Sequence, residues 1–172
     1  MEAESLHPTE EPIRKLAKMI REVKSFMMTT VDTDGSLRSR PMVVPKQDFE
    51  GELWFFSHRS SGKIHAIEND QQVNLSNSSL EDQRHLSLSG RAEAIDDRSK
   101  ARELWTPILK AWFPEGIGDP NLTLIRVTID SAEYWESHES TMVRVYNITK
   151  SVLTGRQYES KPEDHGKINI QH

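Results

Sequence analysis

The sequence predicts a mainly β protein, a closed antiparallel β-barrel with helices at its ends. About six or seven short strand patterns follow one another along the chain, and only about three or four helical patterns interrupt them. Strands and helices do not alternate over long stretches, so a doubly wound parallel sheet is not expected. The 172 residues fit one domain with a substantial core.

The first predicted elements are a helix and a pair of strands. Pro12 opens an amphipathic helix, because a proline is well tolerated in the first helical turn. The apolar residues of this helix recur at helical spacing: Ile13, Leu16, Ala17 and Ile20. Residues 26–31 and 36–44 have strand patterns, and the intervening Asp32–Gly35 is a hairpin turn signal.

The middle of the chain continues with strands. The apolar run 53–57 predicts a strand, residues 57–63 form a polar turn, and a short helix then leads to a strand over 72–77. Residues 84–95 predict a long alternating strand. One face of that strand holds Leu86, Leu88, Gly90, Ala92 and Ala94.

The last third of the chain returns to helix and strand. Asp97 caps a helix over 98–111, which Pro107 interrupts. A strand over 122–135 follows. A further strand near 142–148 and a short helix at 149–154 complete the prediction.

These elements divide the chain into three parts. Residues 1–11 are expected to form a flexible acidic tail, 12–157 the folded domain, and 158–172 a polar tail.

Composition excludes several classes of function. The net charge of −5 argues against nonspecific binding to nucleic acid or to an anionic membrane. The absence of cysteine excludes disulfides, thiolate zinc sites and cysteine nucleophiles, and it fits a cytoplasmic protein. The N-terminal residues show no signal peptide, and no stretch is apolar over the ~20 residues that span a bilayer.

The polar turn at residues 57–63 is the first candidate site. Free N–H groups and the positive end of the helix dipole favour an anion where a strand leads into a helix. Lys63 is expected in the first helical turn, where a cation is unfavourable unless an anion binds nearby. The alternative is an ordinary strand–helix connection with a serine N-cap. No Walker A or GxGxxG pattern is present, so nucleoside triphosphates and Rossmann-bound dinucleotides are not indicated.

The second candidate is the segment from Arg38 to Met42. Arg38 and Arg40 share one strand face, where they repel each other unless an anion or an acid lies between them. Guanidinium groups suit a phosphate. The alternative is an exposed edge strand whose cations prevent aggregation.

Aromatic residues are the third candidate. Trp112, Phe113 and Trp135 could stack on a flat heterocycle, although core packing is the usual role of tryptophan. Met27 and Met28 are most simply core residues. The seven histidines lack metal-binding spacing, so no metal site is predicted, and no GxSxG motif indicates a hydrolase.

Together these segments resemble the pyridoxamine 5′-phosphate oxidase-like FMN-binding split-barrel superfamily, and especially its bacterial general stress protein branch. The similar segments cover most of residues 13–155, in the family's order: SRPM at 39–42, LWFFSHRSSGKIHAIENDQQVNLS at 53–76, HLSLSGRAE at 85–93, AWFPEGIGDPNLTLIRV at 111–127 and AEYWES at 132–137. The resemblance implies a six-stranded split barrel and a homodimer with FMN at the subunit interface.

The resemblance also implies cofactor-binding residues. Arg40 and Lys63 would bind the FMN phosphate, and Ser57 and Ser61 would donate hydrogen bonds to it. The remaining residues that the resemblance implies are Ser39, Pro41 and Met42 near the isoalloxazine edge, His85 from the other subunit, and Trp112 and Trp135 near the ring, with Arg144 as a secondary candidate.

One departure from the family's sequence pattern concerns the reaction and leaves the expected cofactor unchanged. True pyridoxamine phosphate oxidases carry an Arg-x-His motif shortly after the tryptophan that Trp135 matches, and residues 137–144 hold none. The expected function is therefore an FMN-dependent oxidoreductase or flavin reductase of a stress response, with catalytic residues unassigned. The alternatives are a flavin store or sensor without turnover, and a split barrel that binds the deazaflavin F420 or haem.

Overall fold

The computed structural model describes residues 10–136, 150, 153–154 and 165–170. Its helices are α1 (Glu10–Arg21), α2 (Gly62–Asn69) and α3 (Arg98–Leu104), with 3-10 turns at Pro107–Ala111 and Gly116–Gly118. Its strands are β1 (Ser25–Val31), β2 (Leu37–Val43), β3 (Glu52–His58), β4 (Gln72–Ser79), β5 (Arg84–Ile95), β6 (Leu122–Glu136) and β7 (His165–Asn169). No helix in these ranges is long and apolar enough to cross a membrane.

The strands form one antiparallel sheet in the order β2-β1-β4-β5-β6-β3, with β7 added along β6. The sequence predicted a closed barrel of strands in meander order, and both details are wrong. β1 pairs with β4 and β3 pairs with β6, and no ladder joins β2 to β3 in the part of the chain that is described. The resulting sheet is a barrel split between β2 and β3, as the family resemblance implied.

Strand β7 was not predicted. It lies in the segment that was expected to be a polar tail, and it has one buried apolar residue, Ile168. Two predicted elements lie outside the described residues. They are the strand near 142–148 and the helix at 149–154, of which only residues 150, 153 and 154 are described. The division of the chain into a domain and two tails stays a prediction.

The main core fills the inner face of the sheet. Large apolar side chains such as Phe26, Met28, Leu53 and Phe55 are less than 2% exposed there, and α1 adds Leu16. The core was expected to hold both Met27 and Met28. Since neighbouring strand residues point to opposite faces, only Met28 is buried, and Met27 lies 41% exposed on the outer face.

A smaller apolar cluster explains the continuous apolar run of β3. Leu53 and Phe55 point into the main core, whereas Trp54 and Phe56 pack against the smaller cluster. The buried members of that cluster are Ala101, Phe113, Leu122 and Leu124. Both faces of β3 are therefore covered, so the run cannot alternate with polar residues.

Gly90 lies where β5 and β6 bend. The register between these strands shifts between Ser89 and Gly90, which leaves Asp130 as an extra residue in β6. A Cβ atom on residue 90 would lie 2.2 Å from the backbone oxygen of Thr128, so only glycine fits. β3 pairs with β6 up to Thr128, and β7 pairs with it from Ser131 onward.

Candidate functional site

Lys63 lies in the first turn of α2, beside the C-terminal end of β3. Its Nζ donates hydrogen bonds to Ser61 Oγ at 2.8 Å and to Ser57 Oγ at 3.2 Å. Burial lowers the pKa of Lys63, and the nearby positive charge of Arg40 lowers it further. The sequence expectation of a cation in this first turn is confirmed, and no acidic residue lies in the same turn.

Arg40 approaches Lys63 from β2. Its Nη1 donates to Thr30 Oγ1 at 3.1 Å, and Thr30 is buried. Within the described ranges, no carboxylate lies within salt-bridge distance of Arg40 or of Lys63. Among the described residues, these two partly buried cations therefore have hydroxyl groups alone as side-chain hydrogen-bond partners.

Two other cations that lie near these residues in the sequence have different roles. Arg38 forms a salt bridge with Asp32 in the hairpin turn, at 2.8 Å. Arg59 forms an ion pair with Asp96, which raises the pKa of Arg59 and lowers that of Asp96. Each of these two arginines therefore has a carboxylate partner, unlike Arg40 and Lys63 among the described residues.

The turn at residues 57–63 is held by capping and by a distant residue. Ser61 is the N-cap of α2, and its side chain accepts a hydrogen bond from the backbone N–H of Lys63 at 3.3 Å. Asn121 fixes the other half of the turn. Its backbone oxygen accepts from Arg59 N at 2.7 Å, and its side-chain oxygen accepts from Ser60 N at 3.1 Å.

A cavity of about 570 Å³ opens beside this turn. Residues 41–46 form one wall, the 3-10 segment and its neighbours form another, and β3 lies between them. The lining is mostly apolar: Pro41, Met42, Val43, Val44, Pro45, Phe56, Ile108, Leu109, Trp112 and Phe113. Its polar members are Lys46, Ser57, His58, Lys63 and Thr106, and none of the lining residues carries a carboxylate.

His58 and Asn121 were missed as site residues. The His58 ring packs against Phe113 at 4.5 Å, and its Nδ1 lies 3.3 Å from Asn121 Nδ2. His58 stands in the predicted anion turn, and its position there was the available signal. Asn121 had none, because 63 residues separate it from His58.

A second group of predicted residues lies on the outer face of the sheet. His85, Trp135 and His165 are direct neighbours across β5, β6 and β7. The Trp135 indole is 40% exposed and stacks on the imidazole of His165 at 5.2 Å. His165 was not predicted, because β7 was not. His85 Nδ1 lies 3.1 Å from Ser78 Oγ, and none of the three residues lines the cavity of the same chain.

The predicted cofactor residues therefore fall into two groups. One group surrounds the cavity and the cation pair: Arg40, Pro41, Met42, Ser57, Ser61, Lys63 and Trp112. The other group lies on the outer face of the sheet: Ser39, His85 and Trp135. Ser39 faces away from Arg40 because strand residues alternate, and its hydroxyl lies 2.7 Å from that of Thr29. Arg144 lies outside the described residues.

Comparison with known proteins identifies similar chains. A family model described as "Pyridoxamine 5′-phosphate oxidase like" matches residues 11–159. Protein bli-3 of Neurospora crassa is 32% identical over an alignment of 161 residues that covers 87% of this chain and 76% of that protein.

Solved structures share the fold. A candidate general stress protein 26 from Jannaschia sp. CCS1 has a TM-score of 0.71 at 22% identity, over 94% of this chain and 99% of its own. The general stress FMN/FAD binding protein from Xanthomonas citri has a TM-score of 0.65 at 30% identity, over 77% of this chain and 93% of its own.

Proposed function

The chain belongs to the pyridoxamine 5′-phosphate oxidase-like family, and on this premise we propose that it is an FMN-dependent oxidoreductase. The observation that carries the proposal is the Lys63–Arg40 pair beside an apolar cavity, two partly buried cations to which the described residues offer no carboxylate. Such a pair is unfavourable in the ligand-free protein and is stabilised by a bound dianion.

The residues present fit a flavin mononucleotide. Lys63, Arg40, Ser57 and Ser61 supply the charge and the hydroxyl groups that a phosphate monoester requires. The apolar walls, including the half-exposed Trp112 at the cavity, suit a flat ring system. A bound flavin would supply hydride or electron transfer, while the protein binds and orients it and excludes water.

The proposal does not extend to oxidation of pyridoxamine phosphate. The sequence after Trp135 lacks the Arg-x-His motif of the true oxidases. The relative from Xanthomonas citri is named for general stress and for FMN/FAD binding, which supports a flavin protein of a stress response. The absence of cysteine supports a cytoplasmic location.

We also propose that the active form is a homodimer. Uncharged side chains cover the outer face of β2, β1 and β4 and the adjoining part of β5 as far as Ser89, although 28% of the chain is charged. Arg91 and Glu93 lie further along the same face of β5. Thr29 bonds to Ser39 and Asn74 bonds to Ser87 on this face, and Met27 and Val43 are exposed there. A second copy would cover these residues and could bring His85 and Trp135 towards the cavity of its partner.

Spectroscopy of the purified protein tests the cofactor. We expect FMN to co-purify or to bind when added, with the two absorption bands of a flavin in the blue and near-ultraviolet. Titration with riboflavin, which lacks the phosphate, is the matched control, and we expect it to bind at least tenfold more weakly. A Soret band would indicate haem, and tighter binding of F420 than of FMN would indicate a deazaflavin protein.

A reduction assay tests the oxidoreductase. We expect NADH or NADPH to bleach the bound flavin and oxygen to restore it, as followed by stopped-flow absorbance. Flavin that binds but is reduced by neither nucleotide would favour the storage or sensor function.

Sedimentation of the wild type and of Met27→Arg tests the homodimer, since a charge on the outer face should dissociate it.

A further inference from the structure

His58 is held rigidly at the cavity wall. Its ring is packed at 4.5 Å against the buried Phe113, with an angle of 36° between the ring planes. It directly follows Ser57, whose hydroxyl accepts a hydrogen bond from Lys63. Strand alternation sends the Ser57 and His58 side chains to opposite faces of β3, and both line the cavity at the C-terminal end of that strand, as Lys63 does.

Asn121 determines which nitrogen of His58 carries the proton. The backbone N–H of Ser60 donates to Asn121 Oδ1 at 3.1 Å, so the amide oxygen must face Ser60 and the amide nitrogen must face His58. An NH₂ group can only donate, and His58 Nδ1 must therefore accept. The proton of the neutral ring then lies on Nε2, the nitrogen for which the described residues provide no partner.

We propose that the Nε2–H of His58 donates a hydrogen bond to the oxyanion that Lys63 and Arg40 hold, and that Asn121 is the positioning residue for this donor. The inference rests on the proposed function, since that oxyanion would be the FMN phosphate. The remaining wall is apolar apart from Lys46 and Thr106, so an oxyanion is expected at the end formed by Ser57, His58 and Lys63. His58 thereby adds a directed neutral donor to two cations.

Two variants separate hydrogen bonding from packing. His58→Phe keeps an aromatic ring against Phe113 and removes the donor, whereas His58→Gln restores an N–H near the position of Nε2. We expect His58→Phe to weaken FMN binding about tenfold and to leave riboflavin binding unchanged. We expect His58→Gln to recover most of the affinity. Equal weakening of both flavins, or no weakening of FMN, would overturn the proposal.

The ring state can be measured without any flavin. Nitrogen-15 NMR of the full chain should show His58 as a single Nε2–H tautomer, and inorganic phosphate should shift its Nε2 signal. Asn121→Ala should turn this tautomer into a mixture, and Lys63→Ala should abolish the response to phosphate. If wild-type protein binds no FMN but phosphate still shifts Nε2, the flavin function fails and the His58 assignment stands. An Nε2 signal that phosphate leaves unchanged overturns the His58 assignment itself.

Discussion

The described part of the protein holds partly buried cations in contrasting electrostatic surroundings, and Arg126 and the Lys63–Arg40 pair illustrate the contrast. On β6, Arg126 donates to Glu93 at 2.6 Å, has Glu52 at 3.8 Å, and lies over the ring of Trp54. At the cavity, Lys63 and Arg40 contact hydroxyl groups of Ser57, Ser61 and Thr30. Two carboxylates balance the charge of Arg126, whereas no carboxylate among the described residues pairs with Lys63 or Arg40.

This difference shows how a binding site can be recognised in an acidic chain. Asp and Glu outnumber Lys and Arg by 27 to 22, so carboxylates are available to most cations. Arg38, Arg59 and Arg91 each have one as a partner. A pair of cations that keeps its charge in such a chain indicates a ligand more strongly than either residue does alone.

Replacement of the cavity cations should have the largest effect. We expect Lys63→Ala and Arg40→Ala each to weaken FMN binding by about 1–3 kcal/mol, because each removes a charge-assisted hydrogen bond to the phosphate. The measurement is the dissociation constant from flavin fluorescence quenching. Lys100→Ala and Arg91→Ala are matched controls, since their side chains pair with Glu103 and Asp130 on the surface. Unchanged affinity in both cavity variants would refute the phosphate site.

A smaller effect is expected from Thr30→Val, which removes the hydroxyl that orients Arg40. Valine has nearly the same shape as threonine, so the core should stay intact. FMN binding should weaken by about 0.5–1.5 kcal/mol, the usual contribution of one neutral hydrogen bond. Calorimetric titration measures it. If the affinity falls by more than it does in Arg40→Ala, the hydroxyl has a role beyond orienting the guanidinium.

A change in the Arg126 cluster should lower the stability of the fold and leave FMN binding unchanged. Glu93→Gln removes the main partner of Arg126. The Arg126 side chain is 34% exposed and that of Glu93 is 44% exposed. We expect the free energy of unfolding to fall by less than about 1 kcal/mol, since exposed ion pairs contribute little. FMN affinity should not change. Urea denaturation and flavin titration on the same variant check both statements, and a loss of flavin affinity would mean that the two clusters are coupled.

The smallest effect expected is a pH dependence of the free energy of unfolding of the ligand-free protein. In the folded state the pKa of Lys63 is lowered from 10.5, so the unfolded chain binds more protons between the folded pKa and 10.5. The contribution of Lys63 to the free energy of unfolding therefore rises with pH across that interval. Methionine places no charge at this site, so we expect Lys63→Met to be more stable than the wild type below this interval. We expect the difference in the free energy of unfolding to shrink as the pH rises through the interval, as measured by urea denaturation. An advantage that does not change with pH would contradict the assigned burial.

Local signals in the sequence predicted much of the fold and part of the site. The hairpin turn at Asp32–Gly35 and the serine cap before α2 depend on neighbouring residues, and both appear as expected. Trp112 is half-exposed and lines the cavity, and its position near a flavin ring stays a prediction.

Long-range contacts could not be read from the sequence. The pairing of β3 with β6 joins segments about 65–75 residues apart, so the strand order was mistaken for a meander. The ion pair of Arg59 with Asp96 joins residues 37 positions apart, and Asn121 gave no sign of its contact with His58. The polar residues of β7 form a strand because β6 offers an open edge, which is a tertiary effect.

Gly90 has a consequence for protein engineering. The bend at this glycine separates the half of the sheet that carries Ser57 from the half that carries His85 and Trp135. A Cβ atom there would collide with backbone, which a neighbouring rotamer cannot relieve. Attempts to reshape this protein for a different ligand can therefore vary exposed lining residues such as Ile108, but they must keep residue 90 as glycine to preserve the register shift between β5 and β6.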